Sequence, residues 1–282
     1  MPTENTELQS LLEVIYQKYG YDFRHYSAAS IKRRIQQRVI RSNLPNLAAL
    51  QNKLLHDQNF FQTLLMDFSI NVTEMFRDPS FYLALRQTIV PLLKTYPVVR
   101  IWNAGCSTGE EIYSTAILLQ EEELLNRSLI YATDFNEIIL QKAREGIFPL
   151  ERLNVYECNY HLAGGKASFT DYYNVKNNMA ILDKSLKKNI IFSTHNLATD
   201  SVFGEMHLIM CRNVMIYFDK ELQNKVMGLF HESLVRRGIL CLGSKESIRF
   251  TRYNQMFDEL IAPEKIFQKR LRETMDAGDP SS

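Results

Sequence analysis

The chain has 282 residues, 33 Lys and Arg against 32 Asp and Glu, a net charge of +1 and 45% apolar residues. That composition is ordinary for a globular protein, and the length suits one large domain or two smaller ones. No apolar run approaches the roughly 20 residues that span a bilayer, so membrane insertion is not expected.

The N-terminus, MPTENTELQS, has no basic segment followed by an apolar core. No signal peptide is read there, and a cytoplasmic location is expected. Cys106, Cys158, Cys211 and Cys241 are far apart, with no CxxC or CxxH pair. Neither a disulfide framework nor a structural metal site is implied.

The first 90 residues read as all-helical. Leu8–Tyr19 is amphipathic and ends at Gly20; Ser30–Arg41, Asn46–His56 and Asn59–Phe68 follow. Ile31, Ile35 and Val39 form an apolar stripe, and Arg34, Arg38 and Arg41 recur at i, i+4, i+7 on one face. From Phe23 to His56 there is no Asp or Glu, so no internal partner is expected to offset these cations. A solvated helix face fits this pattern. So does a basic face seeking a carboxylate-rich helix or a nucleic-acid backbone. Pro91 and Pro97 bracket the approach to the first strong strand. The expected division is a helical domain over 1–85, a linker to about 95, and a second domain over 96–282.

Beyond Pro97, strands and helices alternate, which predicts an α/β sheet with mostly parallel strands. The first strand, Val98–Ala104, runs into Gly105-Cys106-Ser107-Thr108-Gly109 and a helix over Glu110–Leu119. Small residues after a strand let the backbone approach a ligand. The spacing is neither GxGxxG nor a P-loop. Glu110 and Glu111 at the helix start repel a pyrophosphate but suit the ammonium of a methionine moiety; they also suit the helix dipole alone. The second strand, Leu129–Thr133, ends at Asp134, where a carboxylate can accept both hydroxyls of an adenosine ribose or cap the next helix.

That helix spans Asn136–Glu145 and stops at Gly146. An irregular or antiparallel β insertion is expected within 148–188. A strand over Ile190–Ser193 leads to His195-Asn196-Leu197, in which Asn196 can meet an adenine edge and Leu197 its face. The strand His207–Cys211 ends in Arg212-Asn213, polar residues at the carboxyl end where ligands sit in such sheets. A helix over Asp219–Arg237, a strand over Ile239–Gly243 and a last antiparallel strand within Ile261–Arg270 complete the reading.

These segments together point to an S-adenosylmethionine-dependent methyltransferase. The chain further resembles the CheR-type protein-glutamate O-methyltransferases of chemotaxis receptors. The resemblance rests on Asn71-x-Thr73-x-x-Phe76-Arg77, on Trp102 through Ser107-Thr108-Gly109-Glu110-Glu111, on Ala132-Thr133-Asp134, on Asn196-Leu197, and on Cys211-Arg212-Asn213-Val214-Met215-Ile216-Tyr217-Phe218. It implies a small all-helical N-terminal domain joined to a class I, Rossmann-like methyltransferase domain. It implies cofactor contacts from Asn71, Thr73, Arg77, Gly105, Glu110, Asp134, Asn196, Leu197, Arg212 and Asn213. Arg77 and Tyr217 are the candidates for placing the substrate carboxylate. The Arg34, Arg38 and Arg41 face is the candidate substrate-binding surface, for an acidic helical region in the cytoplasmic domain of a membrane receptor. A monomer is expected, with no metal and no nucleic acid.

One departure stands out. Gly243-Ser244-Lys245-Glu246-Ser247 stands where chemotaxis members carry Gly-His-Ser-Glu, which adds a cation to that loop. Two rivals remain open. One is a nucleic-acid methyltransferase using the basic helix on phosphates. The other is a non-catalytic module that binds S-adenosylmethionine.

Overall fold

The computed structural model describes residues 2–69 and 73–271. Four helices, α1 (Pro2–Tyr19), α2 (Ala28–Arg41), α3 (Leu47–His56) and α4 (Gln58–Phe68), make the N-terminal unit. Asn46 and Asp57 start α3 and α4 by accepting the N–H groups of Ala49 (2.9 Å) and Phe60 (3.0 Å). Leu11, Ile15, Ile31, Leu50, Phe61 and Leu64 are among the residues that close its core.

The helical turns α5 (Pro79–Ala84) and α6 (Val90–Leu93) flank a π-turn at Leu85–Ile89. The expected boundary fell among them, and the structure moves it up the chain. Phe81, Tyr82, Ile89 and Leu93 are buried in the core of the α/β unit, together with Val99 and Ile117. The N-terminal core ends at Phe68 and the second core begins at Met75. Helical periodicity reveals that these turns have an apolar face, but not which core that face joins.

Among the described residues, ten strands follow in two sheets. They are β1 (Val99–Ala104), β2 (Ser128–Asp134), β3 (Ile147–Pro149), β4 (Tyr173–Lys176), β5 (Met179–Leu182), β6 (Ile190–Thr194), β7 (Met206–Cys211), β8 (Leu234–Leu242), β9 (Phe257–Ile261) and β10 (Ile266–Lys269). The main sheet has the order β6-β2-β1-β7-β8-β10-β9, and β10 runs antiparallel to both its neighbours. The helices α7 (Glu110–Glu121), α8 (Glu137–Glu145), α9 (Leu153–Leu162), α10 (Lys184–Lys187) and α11 (Lys220–Ser233) lie in the connections. β3, β5 and β4 form a separate antiparallel sheet, the expected insertion.

The helix expected over 219–237 ends at Ser233. Leu234 is already extended, and Lys269 Nζ donates to the carbonyls of His231 and Leu234, each at 2.7 Å. The following residues pair with β7 as β8.

β1 has β2 on one side and β7 on the other, all parallel. The chain order therefore reverses at β1, and ligands bind at the carboxyl ends of strands at such a switch point. The N-terminal unit docks beside these ends. Ser27 N–H donates to Tyr217 C=O at 2.7 Å, Asp219 N–H donates to His25 C=O at 2.9 Å, and Tyr26 meets Phe218 edge-on at 4.9 Å. Asn136 Nδ2 donates to Ser69 Oγ at 2.8 Å on the other side.

Candidate active site

A cavity of about 420 Å³ is lined by α2, by Phe68, Ser69, Thr73 and Arg77, and by the loops after β1, β2, β6, β7 and β8. One wall is the turn after β1. Gly105 and Cys106 N–H both donate to Thr133 C=O at 2.8 Å, which folds the turn against β2. Gly105 has φ +78°, and a Cβ there would lie 2.5 Å from Val214 Cγ2. The glycine thus allows the loops after β1 and β7 to touch.

Asp134 sits at the tip of β2, 8% exposed. One carboxylate oxygen accepts Ser107 N–H and the other accepts Asn136 N–H, both at 3.1 Å. Burial nonetheless pushes its carboxyl up to about 6. Each oxygen retains acceptor capacity beyond these bonds. Asn136, not Asp134, caps α8.

The two glutamates at the start of α7 part company. Glu110 is 1% exposed and is absent from the cavity wall; it takes Thr108 Oγ1 at 2.6 Å, Tyr156 OH at 3.4 Å and faces Arg152 at 3.6 Å. Burial raises its carboxyl as well. Glu111 is the one on the wall, holding Asn103 Nδ2 at 2.8 Å and Arg212 at 3.0 Å. Successive helical residues point about 100° apart, so only one of an adjacent pair can face a given ligand. Glu110 was the expected cofactor contact; the glutamate that lines the cavity is its neighbour Glu111.

Arg212 also lines the cavity, but its guanidinium is engaged by protein, by Glu111 and by Asp78 at 2.7 Å, and it stacks on Phe81 at 3.8 Å. Asn213 follows with φ +61°. Glu246 accepts the N–H groups of Asn213 (3.0 Å) and Val214 (2.9 Å), and that of Gly243 at 2.5 Å. Arg77 lies on the wall between Phe76 (φ +52°) and Asp78 (φ +58°). Ser107 (φ +50°) and Asn213 are non-glycine wall residues in the left-handed region, and two more, Phe76 and Asp78, flank the wall residue Arg77. Such strain gathers where a site is held in shape by its surroundings.

Thr73, Asn196, Leu197 and Tyr217 reach the cavity as expected positions on its wall. Asn71 lies outside the described residues. Arg34 is the member of the basic face that reaches the cavity; Arg38 and Arg41 do not. These cations are also not left without internal partners. Asp67 of α4 pairs with Arg38 and with Arg41 (3.5 Å), and its carbonyl accepts from Arg34. The partner comes from another helix, which a local scan of charge does not find. Sequence reasoning also missed Tyr26 and Lys245 as wall residues.

Burial pushes the Cys211 thiol well above its usual range, in a strand packed within the core. A thiol so placed stays protonated and behaves as a packing residue. Among the described residues no cluster of His, Cys, Asp and Glu suits a metal ion, and no helix is long and apolar enough to cross a membrane.

The wall suits a nucleoside with a zwitterionic chain. A buried acid is available for paired hydroxyls, small residues for close approach, and an apolar Leu197 for a ring face. Comparison with known proteins agrees. Residues 71–266 match the CheR methyltransferase SAM-binding domain, and residues 6–69 match the CheR methyltransferase all-alpha domain. The chain belongs to the CheR methyltransferase family. Cher3 of Pseudomonas putida strain KT2440 is 52% identical over 93% of this chain and 96% of its own. The chemotaxis protein methyltransferase of Borreliella burgdorferi is 30% identical, over 86% of this chain and 88% of its own. Chemotaxis protein methyltransferase 2 of Pseudomonas aeruginosa is 29% identical, over 86% of each. The CheR match makes this a SAM-dependent methyltransferase with the two-part architecture described above.

Proposed function

We propose that the protein transfers a methyl group from S-adenosylmethionine to glutamate side chains in an acidic helical region of a receptor's cytoplasmic domain. The observation that carries this reading is the charge of the wall. Arg34, Arg77 and Lys245 line the same cavity as Tyr217, while the acids Asp134 and Glu111 sit at the tip of β2 and in the first turn of α7. A cationic rim over an acidic floor suits an anionic acceptor meeting a cationic donor.

When bound, S-adenosylmethionine offers an electrophilic methyl group, and its acceptance by a carboxylate oxygen gives a neutral methyl ester. A glutamate with its ordinary pKa of about 4.3 is already ionised at neutral pH, so no general base is required. The protein's part is to bind, orient and exclude water. In this reading Asp134 accepts the ribose hydroxyls, with Glu111 and the Gly105 turn beside the methionine moiety. Asn196 and Leu197 receive the adenine. Thr73, Asn213 and the Arg212 anchor complete the cofactor wall. Arg77 and Tyr217 hold the acceptor carboxylate, and Arg34 steers it from α2.

Titration with S-adenosylhomocysteine on wild type and Asp134→Ala tests the cofactor half. Binding to wild type that is lost in the variant supports it, and no binding to wild type sinks it. Labelled methyl donor with a receptor cytoplasmic domain tests the acceptor. Label released as methanol in base marks an ester; base-stable label excludes a carboxylate acceptor.

A further inference from the structure

We infer that the loop between β8 and β9 is a second docking element for the acidic substrate helix, with Phe250 as its apolar anchor. This deepens the proposed function and rests on it. Phe250 is 84% exposed, the most exposed large apolar side chain among the described residues. It cannot fold inward without breaking the loop. Ile248 and Glu246 are buried at 3% and 5%, Thr251 N–H and Oγ1 both donate to Ile248 C=O, and Arg252 N–H donates to Asn224 Oδ1 at 2.9 Å. The ring is therefore presented to solvent by an anchored turn.

Its setting is cationic. From Ser244 to Met256 the sequence has one acid, Glu246, and that carboxylate is buried against backbone N–H groups. Lys245, Arg249 and Arg252 are all exposed. Arg249 approaches Glu259 at 3.8 Å, while Lys245 and Arg252 have no carboxylate partner among the described residues. This differs from α2, where Asp67 partly offsets the arginines. An exposed aromatic ring among cations fits an amphipathic, carboxylate-bearing helix, since aromatic and Arg side chains are preferred anchors at protein interfaces.

The loop is also continuous with the active site, because Lys245 lines the cavity. Five residues of chain reach at most about 17 Å from Lys245 to Phe250. That is roughly three turns of an α-helix. A receptor helix of three turns from a glutamate in the cavity is therefore long enough to span the reach to Phe250.

The test is steady-state methylation of a receptor cytoplasmic domain by wild type, Phe250→Ser and the pair Arg249→Glu with Arg252→Glu. The expected result is a KM for the receptor raised about tenfold, as loss of an interface anchor produces. kcat and affinity for S-adenosylhomocysteine should stay at wild-type values, and the effect of the charge pair should shrink with added salt. An unchanged KM in all variants of an active enzyme overturns the docking role alone. No methyl ester from wild type overturns the proposed function, and the docking role with it. Two other outcomes also overturn it: binding to anionic vesicles, or self-association, that Phe250→Ser abolishes while KM is unchanged.

Discussion

The guanidinium of Arg212 donates to the carboxylate of Glu111 at 3.0 Å and so ties the tip of β7 to the first turn of α7. Its other arm reaches Asp78 at 2.7 Å, and its face covers Phe81. Three segments distant in sequence are held by one cation. Removing one partner of a buried ion pair leaves the other charge unpaired, at a cost of about 3–5 kcal/mol. Arg212→Ala should unfold at much lower urea with little change in m-value. Arg212→Lys should recover only part of the loss, since an ammonium lacks the planar fork that serves two carboxylates. A wild-type midpoint for Arg212→Ala would show that the pair is not holding the site.

If Asp134 accepts the ribose hydroxyls as proposed, the cofactor affinity depends on pH. Its carboxyl is raised to about 6 by burial. Below that pH the free enzyme carries a neutral acid, which can no longer accept two hydroxyls. Affinity for S-adenosylhomocysteine should therefore be full near pH 7.5 and fall up to about tenfold per unit below 6. The effect on folding has the opposite sense. The native acid holds its proton more tightly than the unfolded chain, whose pKa is about 3.9. This group's contribution to stability is thus present below that value and declines as pH rises through 6. Calorimetric titrations from pH 5 to 8 on wild type and Asp134→Asn check this. A flat wild-type profile, matching the variant's, would exclude Asp134 as the titrating group.

Gly105 is required by Val214 as well as by its own backbone. Gly105→Ala places a Cβ 2.5 Å from Val214 Cγ2 at φ +78°. The expected cost is roughly 1–3 kcal/mol, divided between the clash and the left-handed backbone. Val214→Ala in the same chain should relieve the clash and leave the backbone strain. Melting temperatures of the two single variants and the double variant separate the parts. Simple additivity would mean that the two loops do not touch as described.

Much of this was legible because strand tips are local signals. Asp134 ends an apolar run, and Arg212-Asn213 interrupts another, so both stood out before any packing was known. The insertion expected as antiparallel or irregular contains the antiparallel β3-β5-β4 sheet, but also the helix α9, which is not among the expected elements. What is not legible depends on rotation or on distance. Glu110 and Glu111 are equivalent in sequence, and the phase of α7 puts Glu111 on the cavity wall. Asp67 lies in a separate helix from the arginines it offsets. The Pro79–Leu93 turns have an apolar face whose partner, the α/β core, is fixed by tertiary packing. The end of α11 differs from its expected place because Lys269, far along the chain, donates to the carbonyls of His231 and Leu234.

Glu246 is a further point where the site can be loosened without touching ligand. One oxygen takes Gly243 and Asn213 N–H, the other takes Val214 N–H, and burial raises the carboxyl. These bonds hold the Asn213-Val214 turn, and through it the placement of Tyr217. Glu246→Gln keeps the shape but puts an amide NH2 against a backbone N–H on one side. Leaving a buried donor unsatisfied costs about 1–3 kcal/mol. The expected outcome is a lower melting temperature together with a reduced kcat, because the acceptor carboxylate is then held less firmly. Glu246→Asp keeps the charge but shortens the reach, and should restore part of the stability and less of the rate. If Glu246→Gln lowers the melting temperature while kcat and KM stay at wild-type values, the turn is a structural strut only. If kcat falls by more than the folded fraction explains, the backbone bonds to Glu246 are what set the geometry of the Tyr217 side of the cavity.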